Sequence, residues 1–392
     1  MKDQNYSFIP YGRQWIDDDN IEAVLDVLKS DYLTTGPKIS EFEEKFARYV
    51  DAKYAVTVSN GTAALHAACY AAGIKDGDEV ITTPITFAAS ANCILYQGAN
   101  PVFADIDKKT YNIDPEDIKK KITDNTKAII PVHYTGQPCA MDEIQAIAEE
   151  YDLIIIEDAA HALGAEYKGA KIGGISDMST FSFHPVKHIT TGEGGMITTN
   201  SKELYNKLLK FRTHGITKDN KDFKNKVHGP WYHEQQLLGY NYRITDIQCA
   251  LGISQLQKSN MFLERRRYIA ERYNKAFRNL KGVITPNQAS ETNSSWHIYV
   301  IQLQMEKMNV GRKDIFNELI DEKLGVNVHY IPVYYHSYYQ ELGYKKGLCP
   351  NAEELYDRII TIPLYPKMTD EDVDEVIKRV KRVINRHLLS GE

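Results

Sequence analysis

The sequence predicts an α/β protein: a large domain built on a mainly parallel seven-stranded sheet, followed by a small C-terminal α+β domain. Three observations carry this prediction. From Tyr54 onward, short apolar strand patterns alternate with helical patterns, as in a parallel sheet covered on both faces. Past a long helical stretch the alternation gives way to mixed strands and helices. The length, 392 residues, suits two domains, with the boundary expected near residue 255 and domains over 1–255 and 256–392.

The elements follow in order. Asp17 to Asn20 cap an amphipathic helix over Ile21–Leu28, and a second short helix is expected over Ser40–Tyr49. Strands are expected over Tyr54–Val58, Glu79–Thr83, Pro101–Ala104, Ala128–Val132, Leu153–Glu157, Met178–Phe183 and Met196–Thr199. Helices over Thr62–Ala72, Phe87–Tyr96, Pro115–Lys121 and Met141–Tyr151 separate most of them. Such sheets bind ligands at the carboxyl ends of their strands. Residues 215–240 are polar, glycine-rich and lysine-rich, and are expected as a long loop. One continuous helical stretch is expected from Thr245 to about Leu280. After it come strand Trp296–Leu303, helix Arg312–Lys323, strand Val326–Tyr330 and a terminal helix over Asp370–Leu388.

Composition narrows the function. The chain is 43% hydrophobic and 26% charged with a net charge of -6, which argues against a nucleic-acid partner. Basic runs such as Arg265-Arg-Arg267 lie in helical patterns with acidic neighbours and suit a solvated face. The five cysteines are scattered and never form a CxxC pair, as expected of small core residues in a reducing compartment. Met1–Tyr6 lack the apolar core of a signal peptide, and no apolar run approaches a membrane helix. A cytoplasmic protein with no membrane partner is expected.

The most informative run is Phe181-Ser-Phe-His-Pro-Val-Lys187-His-Ile-Thr-Thr-Gly-Glu-Gly-Gly195. It sets one lysine in a proline-turned, glycine-rich loop. Upstream, the strand Leu153–Glu157 runs into Asp158, with His161 close behind. A lysine in a tight loop and a carboxylate at a strand end suit pyridoxal phosphate: the lysine forms a Schiff base, and the carboxylate keeps the pyridine nitrogen protonated. Buried at the end of a Leu-Ile-Ile-Ile run, Asp158 needs a partner, and a pyridinium N–H is one. Gly61 and Thr62 open a helix directly after a strand. They form either a phosphate cradle, to which Ser182 can add a hydroxyl, or an ordinary glycine turn with a threonine cap. Phe87 either stacks on a planar ring or belongs to the core. His161 either reaches a cofactor oxygen or satisfies local backbone groups. His184 and His188 are four apart, but Pro185 breaks the helix that would align them, so no metal site is expected. Glycines 192, 194 and 195 match neither a P-loop nor a dinucleotide fingerprint.

Together these residues resemble fold-type I pyridoxal-phosphate enzymes and, within them, the DegT/DnrJ/EryC1/StrS family of sugar-nucleotide aminotransferases. The resemblance covers essentially the whole chain. It rests on Tyr11-Gly-Arg-Gln14, Leu33-Thr-Thr-Gly-Pro37, Ser59-Asn-Gly-Thr-Ala63, Thr83-Pro-Ile-Thr-Phe87, Glu157-Asp-Ala-Ala-His161, Ser182 through Gly195, and Gly239-Tyr-Asn-Tyr-Arg243. It implies Lys187 as Schiff-base lysine and proton shuttle, and Asp158 as partner of the pyridine nitrogen. It further implies Phe87 on the ring face, Gly61, Thr62 and Ser182 on the phosphate, and Asn241 reaching the phosphate of a neighbouring chain in an obligate homodimer. Many members carry glutamine where this chain has His161; histidine also occurs there in one branch.

That branch serves pseudaminic acid biosynthesis. Asp158 through Tyr167, Phe181 through Lys187, Val328-His-Tyr-Ile-Pro-Val-Tyr334 and Tyr338 through Leu342 are most similar to it. The resemblance implies transfer of an amino group from L-glutamate to C4 of a UDP-linked 4-keto-6-deoxy-N-acetyl-L-altrosamine. Tyr11, the loop Asp31, Tyr32, Leu33 and Thr34, and His329 with Tyr330 should then line the sugar-nucleotide site. Three rivals remain: the same chemistry on a GDP-4-keto-6-deoxymannose or D-configured UDP sugar, a dehydratase with histidine in place of the lysine, and a regulator. Lys187 disfavours the dehydratase. Regulators on this scaffold carry an appended DNA-binding module, and here the pattern starts within the first dozen residues.

Overall fold

Each expected strand of the large sheet forms, within two residues of its expected bounds. In the computed structural model, which describes residues 7–389, they are β1 (Tyr54–Val58), β2 (Glu79–Thr82), β3 (Asn100–Phe103), β4 (Thr126–Ile130), β5 (Ile154–Asp158), β6 (Met178–Ser182) and β7 (Gly195–Thr199). Met1–Tyr6, read above as polar, lie outside the described residues. The order across the sheet is β1-β7-β6-β5-β4-β2-β3. Pairing is parallel from β3 through β6, while β7 runs antiparallel to both β6 and β1. Strands β5, β6 and β7 are buried almost throughout, on both faces, as a doubly covered sheet requires.

Capping sets where the helices begin. Asp17 accepts from the Asn20 N–H and the Asn20 side chain answers, so the first helix is Asp18–Leu28. Pro37 starts the second helix three residues before its expected beginning, because its fixed φ and missing N–H suit a first turn. Helix Gly61–Ala71 packs against the sheet and is buried on nearly every side, which explains its alanine-rich sequence.

Several expectations are corrected. The stretch from Thr245 to Leu280 is two helices, Asp246–Gln257 and Ser259–Phe277. At Lys258 the backbone N–H turns back to the Gln255 and Leu256 carbonyls, and the ammonium is drawn to Asp17 and Asp19. Val326–Tyr330 is not a strand. Only Asn327 pairs, with Thr361, while the Tyr134 hydroxyl claims the His329 carbonyl and Thr361 the His329 ring. Residues 215–240 are not wholly loop. Ile216–Thr217 pairs with Glu234–Gln235, and the Glu234 carboxylate gathers the Lys224 and Asn225 N–H groups and the Tyr232 hydroxyl. Helices Lys202–Arg212 and Pro350–Arg358 and strand Ile359–Ile362 are additions to the expected elements.

Two hydrophobic cores flank the large sheet, and a third fills the C-terminal part. The third packs the terminal helix Asp370–Arg386, through Val373, Val376, Val380 and Val383, against helix Ser259–Phe277 and strand Tyr299–Leu303. Ile9 joins this core from the N-terminal arm. A fourth cluster, including Phe103, Tyr134, Val300 and Tyr334, bridges the sheet to residues 298–359. Among the described residues no helix is long and apolar enough to cross a membrane.

Candidate active site

A cavity of about 950 Å³ opens at the carboxyl ends of β1, β4, β5 and β6, where an α/β sheet is expected to bind ligands. The turn after β1 supplies Asn60, Gly61 and Thr62. Asn60 spends its side-chain oxygen on the Ala63 N–H at 2.8 Å and its carbonyl on the Ala64 N–H at 3.1 Å. Among the described residues, the Gly61 and Thr62 N–H groups have no acceptor, and both residues line the cavity. A helix N-terminus with two free donors, and Ser182 across from it, is a fitting cradle for a phosphate.

Two close approaches hold that cradle. A Cβ on Gly61 would lie 2.9 Å from the Ser182 Cβ, and one on Gly195 would lie 2.4 Å from the Asn60 carbonyl oxygen. Neither position admits a side chain without moving the turn. Gly195→Ala is therefore expected to destabilise the fold by about 1–3 kcal/mol and to weaken phosphate binding. Thermal unfolding and a phosphate titration check both effects; an unchanged midpoint and affinity would refute the close-packing argument.

Asp158 ends β5 and is 6% exposed. Its Oδ1 accepts from the Ala160 N–H at 3.1 Å and its Oδ2 from the Ser90 hydroxyl at 2.6 Å. Its neighbour Glu157 points to the opposite face, as strand alternation dictates. There it accepts from the Ser179 hydroxyl and meets His133 Nε2 at 2.6 Å. The Cys139 N–H donates to His133 Nδ1, so the proton of this imidazole sits on Nε2 and is given to Glu157. Glu157 and His133 brace the strand behind Asp158.

Lys187 follows a turn in which its N–H donates to the His184 carbonyl. The loop is closed by its own polar groups: Thr191 N–H and Thr190 Oγ1 both donate to the Phe183 carbonyl, and Phe183 N–H to the Gly194 carbonyl. The amine reaches the cavity but is enclosed by protein. Desolvation brings its pKa down to about 8; the Asp158 charge opposes this and buried Arg266 adds to it. Arg266 is 1% exposed and is held by the Trp296, His297 and Leu364 carbonyls.

His161 stacks on Tyr330 at 5.9 Å, and its Nε2 lies 3.0 Å from the Tyr330 hydroxyl. Burial, reinforced by Lys187, keeps the ring neutral. His329 is likewise held down to about 4 by burial, with Tyr11 at 5.6 Å. Phe87 is 63% exposed, 6.5 Å from Tyr330 on the cavity wall, so it does not serve the core. His184 and His188 diverge: His184 is exposed, and His188 is buried against the Ser295 carbonyl.

The structure thus brings together Tyr11, Gly61, Thr62, Phe87, Asp158, His161, Ser182, Lys187, His329 and Tyr330 around one cavity. It does not bring Asp31, Tyr32, Leu33, Thr34 or Asn241 there. Thr34 is tied to Thr245, Tyr32 and Leu33 are exposed, and exposed Asn241 pairs with Thr213. Sequence reasoning missed Ser90, Thr86 and His297. The need of a buried carboxylate for donors was a signal for the first two, since hydroxyls at 86 and 90 lie four residues apart in the turn after a strand end.

The chain has relatives among known proteins. Residues 14–381 match the DegT/DnrJ/EryC1/StrS aminotransferase family. The chain is 44% identical over 386 residues to the spore coat polysaccharide biosynthesis protein SpsC of Bacillus subtilis, covering 98% of this chain and 99% of that one. Two solved structures share 32% identity and a TM-score of 0.90. One is Helicobacter pylori PseC, an aminotransferase involved in the biosynthesis of pseudoaminic acid, matched over 97% of this chain and 100% of that one. The other is the PMP form of Spr1654 from Streptococcus pneumoniae, matched over 96% and 99%. Spr1654 has also been solved in a PLP form, 31% identical to this chain.

Proposed function

The chain belongs to the DegT/DnrJ/EryC1/StrS aminotransferase family as a pyridoxal-phosphate-dependent sugar aminotransferase, and from that premise we propose that it aminates C4 of UDP-4-keto-6-deoxy-N-acetyl-L-altrosamine, with glutamate as donor. The observation that carries the sugar assignment is the placement of His329 and Tyr330, from the segment most similar to the pseudaminic acid branch, on the wall that faces Lys187. The likeness to PseC supports the same reading.

The residues present fit the cofactor. Gly61, Thr62 and Ser182 would hold its phosphate, Asp158 its ring nitrogen and Phe87 its ring face, with His161 beside its phenolic oxygen. Pyridoxal phosphate, when bound, supplies a carbonyl that exchanges for an amine and a ring that takes up the electron pair left at carbon. Lys187 Nζ removes the proton from the donor's Cα. In the second half-reaction the same nitrogen delivers a proton to C4 of the sugar. Asp158 would hold a proton on the ring nitrogen, while Tyr330 and His161 wall off water. Two half-reactions through one carrier give ping-pong kinetics.

Asn241 and the Asp31–Thr34 loop, outside this chain's cavity, would meet a cavity in a homodimer. An exposed apolar stripe beside that loop, Ile21, Leu25 and Leu28 on one helix face together with Tyr32 and Leu33, supports such an interface. The cytoplasm is the compartment in which both glutamate and sugar nucleotides are at hand.

The second reading keeps the chemistry and changes the sugar to a D-configured UDP ketone or a GDP-mannose-derived one. The 44% identity to a protein of spore coat polysaccharide biosynthesis points to a polysaccharide pathway and names no sugar. Amination with glutamate, offered all three 4-keto sugars and read by mass spectrometry and NMR, decides between the two. Product mainly from the L-altro ketone is expected; preference for another ketone overturns the sugar assignment and leaves the family standing.

The pH dependence of cofactor loading is a separate check. Only the neutral Lys187 amine attacks the cofactor's carbonyl, and its pKa is about 8. Loading of apoenzyme should therefore accelerate as pH rises through about 8 and then level off. A rise continuing toward the range of a free lysine would contradict the buried amine.

A further inference from the structure

Asp158 owes its orientation to a pair of buried hydroxyls. Ser90 is 0% exposed and Thr86 3% exposed. Ser90 Oγ lies 2.6 Å from Asp158 Oδ2, 2.7 Å from Thr86 Oγ1 and 3.3 Å from the Phe87 carbonyl oxygen. An ionised carboxylate can only accept, and a hydroxyl has one proton to give. If that proton went to the Phe87 carbonyl, two oxygen acceptors would face each other at 2.6 Å. Ser90 must therefore donate to Asp158, and Thr86, at 2.7 Å, must donate to Ser90. The direction of both bonds is thereby set.

We infer that Thr86 and Ser90 form a one-way hydroxyl relay that fixes the orientation of the Asp158 carboxylate, which makes Ser90 and Thr86 positioning residues for the contact to the ring nitrogen. The inference rests on the reading of Asp158 given above. Ala160 N–H holds Oδ1 and Ser90 holds Oδ2, so neither oxygen can rotate away from the cavity. Thr86 lines the cavity wall itself, and it acts on the carboxylate only through Ser90.

The test uses holoenzyme and two readouts besides activity: the dissociation constant for pyridoxal phosphate and the pH midpoint of the bound cofactor's absorption spectrum. Ser90→Ala should weaken cofactor binding about tenfold, the size of one hydrogen bond to a charged group, and should move the spectral midpoint by about one pH unit. Thr86→Val should shift both readouts in the same direction by a smaller factor, about threefold in affinity, and Thr86→Ser should restore both. In a relay, the double variant Ser90→Ala with Thr86→Val behaves as Ser90→Ala alone. Additive effects, or a Ser90→Ala enzyme with native affinity and spectrum, overturn the relay. Asp158→Asn separates the two layers. If it perturbs the spectrum while Ser90→Ala does not, the relay is wrong and the role of Asp158 stands; if Asp158→Asn leaves both readouts native, the role of Asp158 itself is wrong.

Discussion

Replacing Lys187 by alanine is expected to leave a folded protein that still binds pyridoxal phosphate, with steady amination reduced by more than about 10⁴-fold. The fold should survive because the side chain faces the cavity and its loop is tied by Thr190, Thr191, Phe183 and Gly194 instead. The cradle at Gly61 and Thr62 and the Asp158 carboxylate remain to hold the cofactor. What is lost is the only lysine on the cavity wall among the described residues, and with it the group that moves protons at the donor's Cα and the sugar's C4. Arginine should not substitute, since its guanidinium stays protonated. The measurement pairs turnover with intact-mass analysis of the reduced holoenzyme, which should show the covalent cofactor in the wild type and none in the variant. Sustained turnover by Lys187→Ala would remove this lysine from the mechanism.

Asp158→Ala should be the second most damaging change, with amination lowered by about 10³-fold. Without the carboxylate nothing holds a proton on the ring nitrogen, and the electron pair released at carbon has a poorer place to go. The substitution also strands the partly buried Ala160 N–H, at roughly 1–3 kcal/mol, and leaves the Ser90 hydroxyl with only the longer bond to the Phe87 carbonyl. A lowered melting temperature should therefore accompany the kinetic defect. Activity within tenfold of wild type would show that the ring nitrogen is served by another group.

The residues that converge on the cavity were legible because each sits where a strand pattern stops. Gly61 follows β1, Asp158 closes β5, and Ser182 closes β6, so local patterning was enough to place their backbones on one edge of the sheet. The partners of those residues were not legible. Ser90 meets Asp158 across 68 residues and His133 meets Glu157 across 24, and no local period encodes such pairings. Val326–Tyr330 shows the same limit from the other side. Its alternating pattern suits a strand, but Tyr134 and Thr361 compete for its polar groups and bend it into the cavity wall. Lys258, where a periodic helical run is interrupted, likewise has distant partners, since its charge is held by Asp17 and Asp19 at the start of the first helix. Asn241 lies away from this chain's cavity, as the resemblance to a shared-site dimer implied, whereas the exposed loop Asp31–Thr34 was expected to line the site and does not do so within one chain.

The antiparallel strand β7 also bears on how the chain assembles. β1 lies at the edge of the sheet and, among the described residues, has β7 as its one neighbour there, so Tyr54–Val58 cannot join until Gly195–Thr199 exists to bridge it to β6. On the ribosome, β1 and the helix after it therefore emerge long before their place in the sheet is defined. Pairings so distant along the chain are slow to close, and the waiting strand offers an unsatisfied edge to other nascent chains. Truncation before β7 should consequently yield an aggregating fragment, whereas completion through β7 seats the first strand and the phosphate turn in the same event.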